Sequence, residues 1–192
     1  MPRVFVAIDI PGNLKELINR DIERMKDYGI RASFPRMEAL HVTIKFLGEV
    51  SLDMVSKVVD SLKEVVKKVN SFDLTVKNRG VFPNSAKPRV VWVGIESSPH
   101  LERLKELVDD NLERLGFTRE DREFRPHVTI ARLKWLDGAG KDFIRKLTKE
   151  EMLYGAFKVD KVILYESILK PEGAVYRVIE EFYLEEKDHE RG

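Results

Sequence analysis

The amino-acid sequence predicts one domain of mixed strands and helices, built as two similar lobes. The tetrapeptide His-Val-Thr-Ile occurs at 41–44 and again at 127–130, an offset of 86 residues. In each half it follows a strand-like run, an amphipathic helix pattern and a loop, and it lies in a second run of alternating polarity. A four-residue repeat can arise by chance, but its return at the same place in the same order of elements argues for related lobes.

The first half of the chain alternates between strand and helix patterns. Runs of β-branched and aromatic residues predict strands, apolar residues three and four apart predict helices, and Gly, Pro or Ser mark the boundaries. We predict, in order, a strand Arg3–Asp9, a helix over 13–28 that ends at Gly29, a strand Leu40–Gly48, a helix capped by Ser51 and a strand Phe72–Asn78.

The second half repeats this order. Shifting Val4–Ala7 by the same 86 residues places it on Val90–Val93, and a shift of 87 places Leu14 and Leu17 on leucines of the second helix pattern. The predicted elements are a strand Arg89–Ile95, a helix that Ser98 and Pro99 begin and Gly116 ends, a strand Pro126–Leu133, a short helix Lys141–Met152, and strands Phe157–Glu166 and Ala174–Leu184 with a turn at Lys170–Gly173. The domain is therefore predicted over 1–184, with 185–192 as a charged tail that frays because it lacks an apolar anchor.

Composition excludes several classes of protein. The 192 residues include 34 Lys and Arg against 33 Asp and Glu, so the chain is not a polycation, although a local basic patch for a nucleic acid remains open. The absence of Cys excludes disulfides, a thiolate nucleophile and a Cys-based zinc site. No apolar run approaches the roughly 20 residues of a membrane helix, and no signal peptide is recognisable. We expect a cytoplasmic protein with no membrane partner.

The repeated tetrapeptides can bring four polar side chains together. Side chains alternate between the faces of a strand, so His41 and Thr43 share one face while Val42 points to the other. The same holds for His127 and Thr129 in the second copy. If the lobes face each other, two histidines and two threonines converge on one cleft.

Such a set suits displacement at phosphorus. One group must take a proton from the attacker, and another must give a proton to the leaving oxygen. Two imidazoles with pKa values near roughly 6.5 can hold these complementary states near neutrality. Hydroxyls can bind the non-bridging oxygens, and Lys45, Arg125 and Arg132 are candidate contacts to the phosphate because they flank the motifs. The scheme needs no metal.

Other interpretations carry less weight. A single HxT pair on a strand is most often ordinary polar alternation, and only the second copy favours function. His100 is assigned to the first turn of a helix and His189 to the charged tail. A metal site that includes Asp9 is disfavoured because Asp9 ends a strand beside a Pro-Gly turn. The chain has no P-loop, dinucleotide-binding, serine-elbow or HExxH motif. Aromatic residues that could stack on a base are Phe46, Phe82, Trp92 and Trp135, although most aromatics serve the core.

These residues carry a family resemblance. Residues 41–49 (HVTIKFLGE) and 125–132 (RPHVTIAR) resemble the paired HxTx motifs of the 2H phosphoesterase superfamily. More narrowly, the chain resembles the RNA 2′,3′-cyclic phosphodiesterases, also called 2′-5′ RNA ligases (the LigT/ThpR family). The opening VFVAIDI and the mid-chain PRVVWVGI extend the resemblance over nearly the whole chain.

The resemblance implies an α+β fold of two pseudo-symmetric lobes, with largely antiparallel sheets flanked by helices around a central cleft. It implies metal-independent hydrolysis of a terminal RNA 2′,3′-cyclic phosphate to a 2′-phosphate, without a cofactor. By analogy His41 would protonate the leaving 3′ oxygen, His127 would activate water, and Thr43 and Thr129 would hold the phosphate. The residues alone leave open which histidine is the acid and which is the base.

Three alternatives remain open. The first is ATP-independent 2′-5′ ligation as the main role, with tRNA halves as partners. The second is a catalytically idle RNA-binding module that uses the cleft and its basic rim. The third is a cyclic phosphate on a small nucleotide or metabolite. We expect the protein to be a monomer.

Overall fold

The computed structural model describes residues 1–186, which form four α-helices and nine β-strands. No helix within this part of the chain has the length and apolar character needed to cross a membrane. The strands are β1 (Arg3–Asp9), β2 (Arg31–Ser33), β3 (His41–Glu49), β4 (Phe72–Phe82), β5 (Val90–Ile95), β6 (His127–Trp135), β7 (Leu153–Val159), β8 (Lys161–Lys170) and β9 (Gly173–Tyr183), and the helices are α1 (Gly12–Tyr28), α2 (Leu52–Val66), α3 (Pro99–Glu113) and α4 (Gly138–Lys149).

The strands form two antiparallel sheets, and this confirms the predicted α+β fold. One sheet has the order β3-β1-β8-β9 and the other the order β2-β6-β5-β4-β7. We call the first sheet with α2 and α3 the first lobe, and the second sheet with α1 and α4 the second lobe, because these helices contact those sheets. The lobes exchange elements, since β4 and α1 come from the first half of the chain but lie in the second lobe. Neither lobe is therefore a continuous stretch of sequence.

The predicted helix boundaries follow from local chemistry. The Ser51 hydroxyl accepts a hydrogen bond from the Met54 N–H at 3.2 Å, and Ser98 caps α3 in the same way. Gly29 and Gly116, 87 residues apart, end the turns after α1 and α3 with φ of 91° and 99°, a conformation that favours glycine. The two helices are thus equivalent at the offset that the leucine pattern predicts.

A β-bulge lies in the same place in each HVTI strand. Thr43 and Lys45 pair with consecutive residues of β1, which leaves Ile44 as an extra residue in β3. Ile130 is the extra residue of β6 opposite β5. Because a bulge reverses the side-chain alternation, the residue after the tetrapeptide turns inward and the next one turns outward.

The register also corrects the predicted repeat by one residue. Ala7 lies opposite Thr43, and Trp92 lies opposite Thr129. β1 and β5 are therefore equivalent at an offset of 85 residues, not 86.

Two strand predictions were wrong in their extent, and one strand was missed. The run over 157–166 is not one strand, because the chain ends β7 at Val159, passes Asp160 and enters β8 in the other sheet. β4 continues to Phe82, beyond the predicted end at Asn78, where the pairing shifts and φ is 62°. The short edge strand β2 was not predicted.

Backbone pairing extends one residue past the predicted domain boundary at 184. The Glu185 N–H donates to the Val69 carbonyl at 3.2 Å, and the Glu185 carbonyl accepts from the Ser71 N–H at 2.7 Å. Glu185, the first residue of the predicted tail, is thus paired through its backbone. The rest of the predicted tail, over 187–192 and including His189, lies outside the described residues.

Candidate active site

A cleft of about 230 Å³ lies between the two lobes. The structure places both histidines and both threonines of the repeat in it, since its lining includes His41, Thr43, His127, Thr129, Arg132 and Tyr176. The intervening valines and isoleucines are at most 2% exposed and face the core. Strand alternation over the first three residues of each tetrapeptide therefore positions the site.

Each histidine is oriented by a carbonyl two residues before it. His41 Nδ1 lies 2.7 Å from the Ala39 carbonyl oxygen, and His127 Nδ1 lies 2.7 Å from that of Arg125. A carbonyl can only accept, so in each ring Nδ1 carries a proton that it donates. The neutral imidazole then has its lone pair on Nε2, which is the atom that can exchange a proton.

Aromatic side chains surround both imidazoles. The His41 ring contacts Phe5, with centroids 5.1 Å apart, and meets Tyr176 edge-on at 5.2 Å. The His127 ring meets Phe82 edge-on at 5.0 Å. Apolar walls of this kind limit rotation of each ring and reduce its contact with water.

Burial lowers the pKa of both histidines, because it removes water from the charged form. The hydrogen bonds to Ala39 and Arg125 oppose this effect. Neighbouring charges then act differently on the two rings. The Asp9 carboxylate raises the pKa of His41, and His127 and Lys15 have smaller effects that lower it. Arg132 lowers the pKa of His127.

Thr43 is hydrogen-bonded to His41, the histidine of the same tetrapeptide. His41 Nε2 lies 2.9 Å from the Thr43 hydroxyl oxygen. The hydroxyl can donate to neutral Nε2, and it can accept from Nε2–H when the ring is protonated. His41 Nε2 therefore has a hydrogen-bond partner within the cleft in either protonation state.

Arg132 reaches the cleft because of the bulge at Ile130. Strict alternation would turn Arg132 toward the core with Val128. The extra residue reverses this, so Arg132 is exposed and lines the cleft beside Ser33 of β2. It lies where a cation can meet a bound phosphate.

Lys45 does not reach the cleft, and its prediction as a phosphate contact was wrong. The bulge at Ile44 turns it inward, where it is 3% exposed. Its Nζ donates to the Asp109 carboxylate and to the Thr118 carbonyl, both at 3.1 Å. Lys45 thus belongs to a buried ion pair behind the strand.

Arg125 lies beside the cleft and not in its lining. Its guanidinium is exposed and lies 3.7 Å from the Glu123 carboxylate. Its side chain borders a groove of about 340 Å³ that continues past His127, with Trp92 and Phe124. The contribution of Arg125 that the structure supports is its carbonyl, which fixes His127.

A second groove, of about 260 Å³, lies on the other side of the cleft beside His41. It is bordered by Asp9, Arg36 and Tyr176. Tyr176 was not predicted as a site residue, because no local motif marks it and only the pairing of β9 with β8 brings it next to His41. The predicted position of His100 is confirmed, since it lies exposed in the first turn of α3.

Within residues 1–186, no group of three or more His, Cys, Asp or Glu side chains is placed to hold a metal ion.

The fold and the paired HxT cleft define a class of protein. The chain belongs to the 2′-5′ RNA ligase superfamily, whose family model matches residues 14–169. The similarity to relatives extends over nearly the whole chain.

One relative, an RNA 2′,3′-cyclic phosphodiesterase of Methanocaldococcus jannaschii, is 38% identical over 183 residues, which cover 94% of this chain and 99% of that protein. A second, an RNA 2′,3′-cyclic phosphodiesterase of Archaeoglobus fulgidus, is 34% identical over 181 residues, with 94% and 99% covered. The crystal structure of the Thermus thermophilus protein TT0787 has the same fold, with a TM-score of 0.82, 24% identity, and coverage of 96% of this chain and 99% of that one.

Proposed function

We propose that this protein hydrolyses the 2′,3′-cyclic phosphate at the end of an RNA to a 2′-phosphate, without a metal. The observation that carries the proposal is the meeting of two HxT pairs in one cleft, each with its imidazole fixed through Nδ1. The two relatives, both RNA 2′,3′-cyclic phosphodiesterases, support the same reaction. A 2′,3′-cyclic phosphate requires a 2′-hydroxyl, so the substrate is RNA and not DNA.

The reaction needs one proton removed and one delivered. Nε2 of neutral His127 takes a proton from water as the water oxygen bonds to phosphorus. The bond from phosphorus to the 3′ oxygen breaks, and that oxygen takes the proton from Nε2 of protonated His41. The product carries a free 3′-hydroxyl and a 2′-phosphate. Exchange with solvent then returns both histidines to their starting states.

The charges near the two rings support this assignment of roles. The Asp9 carboxylate favours the protonated form of His41, as the acid requires, and Arg132 favours the neutral form of His127, as the base requires. Lys15 weakens the first effect because its Nζ lies 2.8 Å from the Asp9 carboxylate. Burial lowers both pKa values, and the rings differ because a carboxylate acts on His41 and, among the described residues, none acts on His127.

The phosphate itself would be held by Thr43, Thr129 and Arg132. The hydroxyls can donate hydrogen bonds to the non-bridging oxygens, and a guanidinium can neutralise the charge that grows on them in the transition state. All three side chains line the cleft between the histidines.

The test uses a short RNA that ends in a 2′,3′-cyclic phosphate, with EDTA present. We expect a 2′-phosphate product from the wild-type protein, and a loss of at least about 10²- to 10⁴-fold in His41→Ala and in His127→Ala, the usual contribution of a general acid or base. Circular dichroism of both variants controls for folding. A folded variant that keeps most of its activity, or a wild-type activity that EDTA abolishes, would contradict the proposal.

We infer that tRNA halves are among the substrates, and that an RNA 5′-hydroxyl in place of water would join them through a 2′-5′ linkage. The grooves on either side of the histidines, of about 260 and 340 Å³, support access of two RNA ends. We also infer a monomer in the cytoplasm. We expect a 2′-5′-linked product when an RNA with a cyclic phosphate end is mixed with an RNA bearing a 5′-hydroxyl. If no such product forms, hydrolysis is the only reaction of the two.

A further inference from the structure

We propose that Arg31 and Trp135 form a base-stacking subsite for the RNA strand that leads to the cyclic phosphate. This inference rests on the proposed function, because it places the rest of the substrate once its end lies between the histidines. It assigns the strand to a path along β6, from the cleft past Arg132 to the end of the sheet.

Trp135 is unusually exposed for a tryptophan. Its side chain is 62% exposed, and the Arg31 guanidinium carbon lies 5.9 Å from its ring centroid. Tryptophan is normally largely buried, and an exposed aromatic in a structured strand is a candidate contact surface. An aromatic ring with an arginine beside it is the arrangement that binds single-stranded nucleic acid, since every base can stack on it.

The register of β2 and β6 directs this pair to the same face as the cleft. Ser33 lies opposite Arg132, and both line the cleft. Arg31 is two residues from Ser33, so it shares that face, and it lies opposite Trp135. Simple alternation would place Trp135, three residues after Arg132, on the opposite face of β6. Lys134 is an extra residue at a shift in the register, so Trp135 returns to the face of Arg132.

The distances and charges suit an extended strand. Trp135 is three residues beyond Arg132, which separates them by about 10 Å along the strand. The backbone of an RNA that spans this distance would pass three cations, Arg31, Arg132 and Lys134, all exposed. Charge along the path and a ring at its end together form a strand-binding surface.

A pocket beside Trp135 has room for a base. It has a volume of about 370 Å³ and is bordered by Tyr28, Arg31, Trp135 and Leu136. Asp137 also borders it, but its carboxylate accepts a hydrogen bond from the Gly140 N–H at 2.7 Å, as the cap of α4. The pocket thus combines two aromatic residues and an arginine with one carboxylate that is already engaged.

Tyr183 provides a matched control. It is 61% exposed and has the Lys161 ammonium 5.8 Å from its ring centroid, so it is also an exposed aromatic with a cation. It borders a depression with Lys63 and Phe182, formed by α2 and β9, that shares no residue with the cleft. Loss of this ring should leave RNA binding unchanged.

The test compares two substrates, a nucleoside 2′,3′-cyclic phosphate and a six-nucleotide RNA with the same end. We expect Trp135→Ala to raise KM for the six-nucleotide RNA by roughly 5- to 100-fold, the value of one stacked base. Its kcat on that RNA, and both constants on the mononucleotide, should stay within twofold. Trp135→Phe should restore most of the loss, and Tyr183→Ala should match the wild type.

Two outcomes would overturn the inference. A Trp135→Ala protein with unchanged KM for the longer RNA has no stacking subsite, and one that loses activity equally on both substrates acts through the fold. Equilibrium binding of a six-nucleotide RNA with a 2′-phosphate end separates this inference from the proposed function. Failure of wild-type hydrolysis with binding that depends on Trp135 would refute the reaction and not the RNA path.

Discussion

The two histidines lie in strands of identical local sequence, yet their neighbours differ. Asp9 lies opposite the first histidine, whereas Gly94 occupies that place opposite the second. Beyond the bulge, the residue that turns into the cleft is Phe46 in the first lobe and Arg132 in the second. The repeat thus supplies two imidazoles that are fixed through Nδ1 in the same way, and the residues around them make them unequal. An acid–base pair needs this inequality, because one member must hold the proton that the other lacks.

The core-facing sides of β3 and β6 differ as well. Behind the first bulge lies Lys45, whereas the equivalent residue of the second lobe is the buried Ala131. Lys105 of α3 donates to the carbonyl of the bulged residue Ile44 at 2.9 Å and to Asp109 at 3.1 Å. The equivalent position of α1 is an isoleucine. The first lobe therefore supports its bulge with buried charges, and the second lobe supports its own with apolar packing.

Removal of the Asp109 carboxylate should give the largest effect on stability. Asp109→Ala leaves Lys45 and Lys105 buried without their shared anion, and loss of one member of a buried pair typically costs about 3–5 kcal/mol. Urea denaturation measures the change. Asp142→Ala removes a carboxylate from an exposed pair on α4 and should cost no more than about 1 kcal/mol. Equal stability of the two variants would refute the supporting role of the buried cluster.

The next largest effect, on catalysis, should distinguish Arg132 from Lys45, the two cations that follow the tetrapeptides. Arg132→Met should lower kcat/KM by about 10²- to 10³-fold, the usual loss for a donor to a developing oxyanion. Lys45→Met should leave kcat per folded molecule unchanged, because Lys45 faces the core and Asp109 keeps Lys105 as its partner. Activity lost in both variants to the same degree would mean that Lys45 reaches the substrate after all.

A smaller effect should appear in the pH dependence. Under the proposed roles, activity rises with pH as His127 loses its proton and falls as His41 loses its own. Asp9→Asn removes a carboxylate that raises the pKa of His41, so the alkaline limb should move to lower pH. Lys15→Met removes a cation that lowers the same pKa, so that limb should move to higher pH.

Profiles of kcat/KM against pH for the wild type and the two variants measure these shifts. The limbs belong to the pair of histidines as a coupled system, so the sign of each shift is the quantity to compare. Shifts of the same sign in both variants, or a shift confined to the acid limb, would reverse the assignment of acid and base.

The convergence of the two motifs could be predicted from sequence because it depends on two local rules. Strand alternation put His41 and Thr43 on one face, and the repeat put a second pair in the same setting. The bulge at Ile44 could not be predicted, since it arises from pairing with β1, which is not visible in the local pattern. That bulge turns Lys45 away from the cleft, and the equivalent bulge at Ile130 turns Arg132 toward it.

Long-range pairing also limited the prediction of the fold. The apolar run over 157–166 continues through Asp160 without a turn signal, although the chain changes sheets there. Tyr176 enters the site only because β9 pairs with β8 and β8 with β1. Such contacts join residues far apart in sequence, so the local periodicity of the chain does not predict them.

Replacement of the leaving 3′ oxygen with sulfur tests most directly whether His41 is the acid and His127 the base. A thiolate leaves without protonation, so an RNA with this cyclic phosphorothiolate end needs no general acid. We expect His41→Ala to cleave it at nearly the wild-type rate, while His127→Ala remains inactive. Rescue of His127→Ala in place of His41→Ala, or rescue of neither, would contradict these roles of the two histidines.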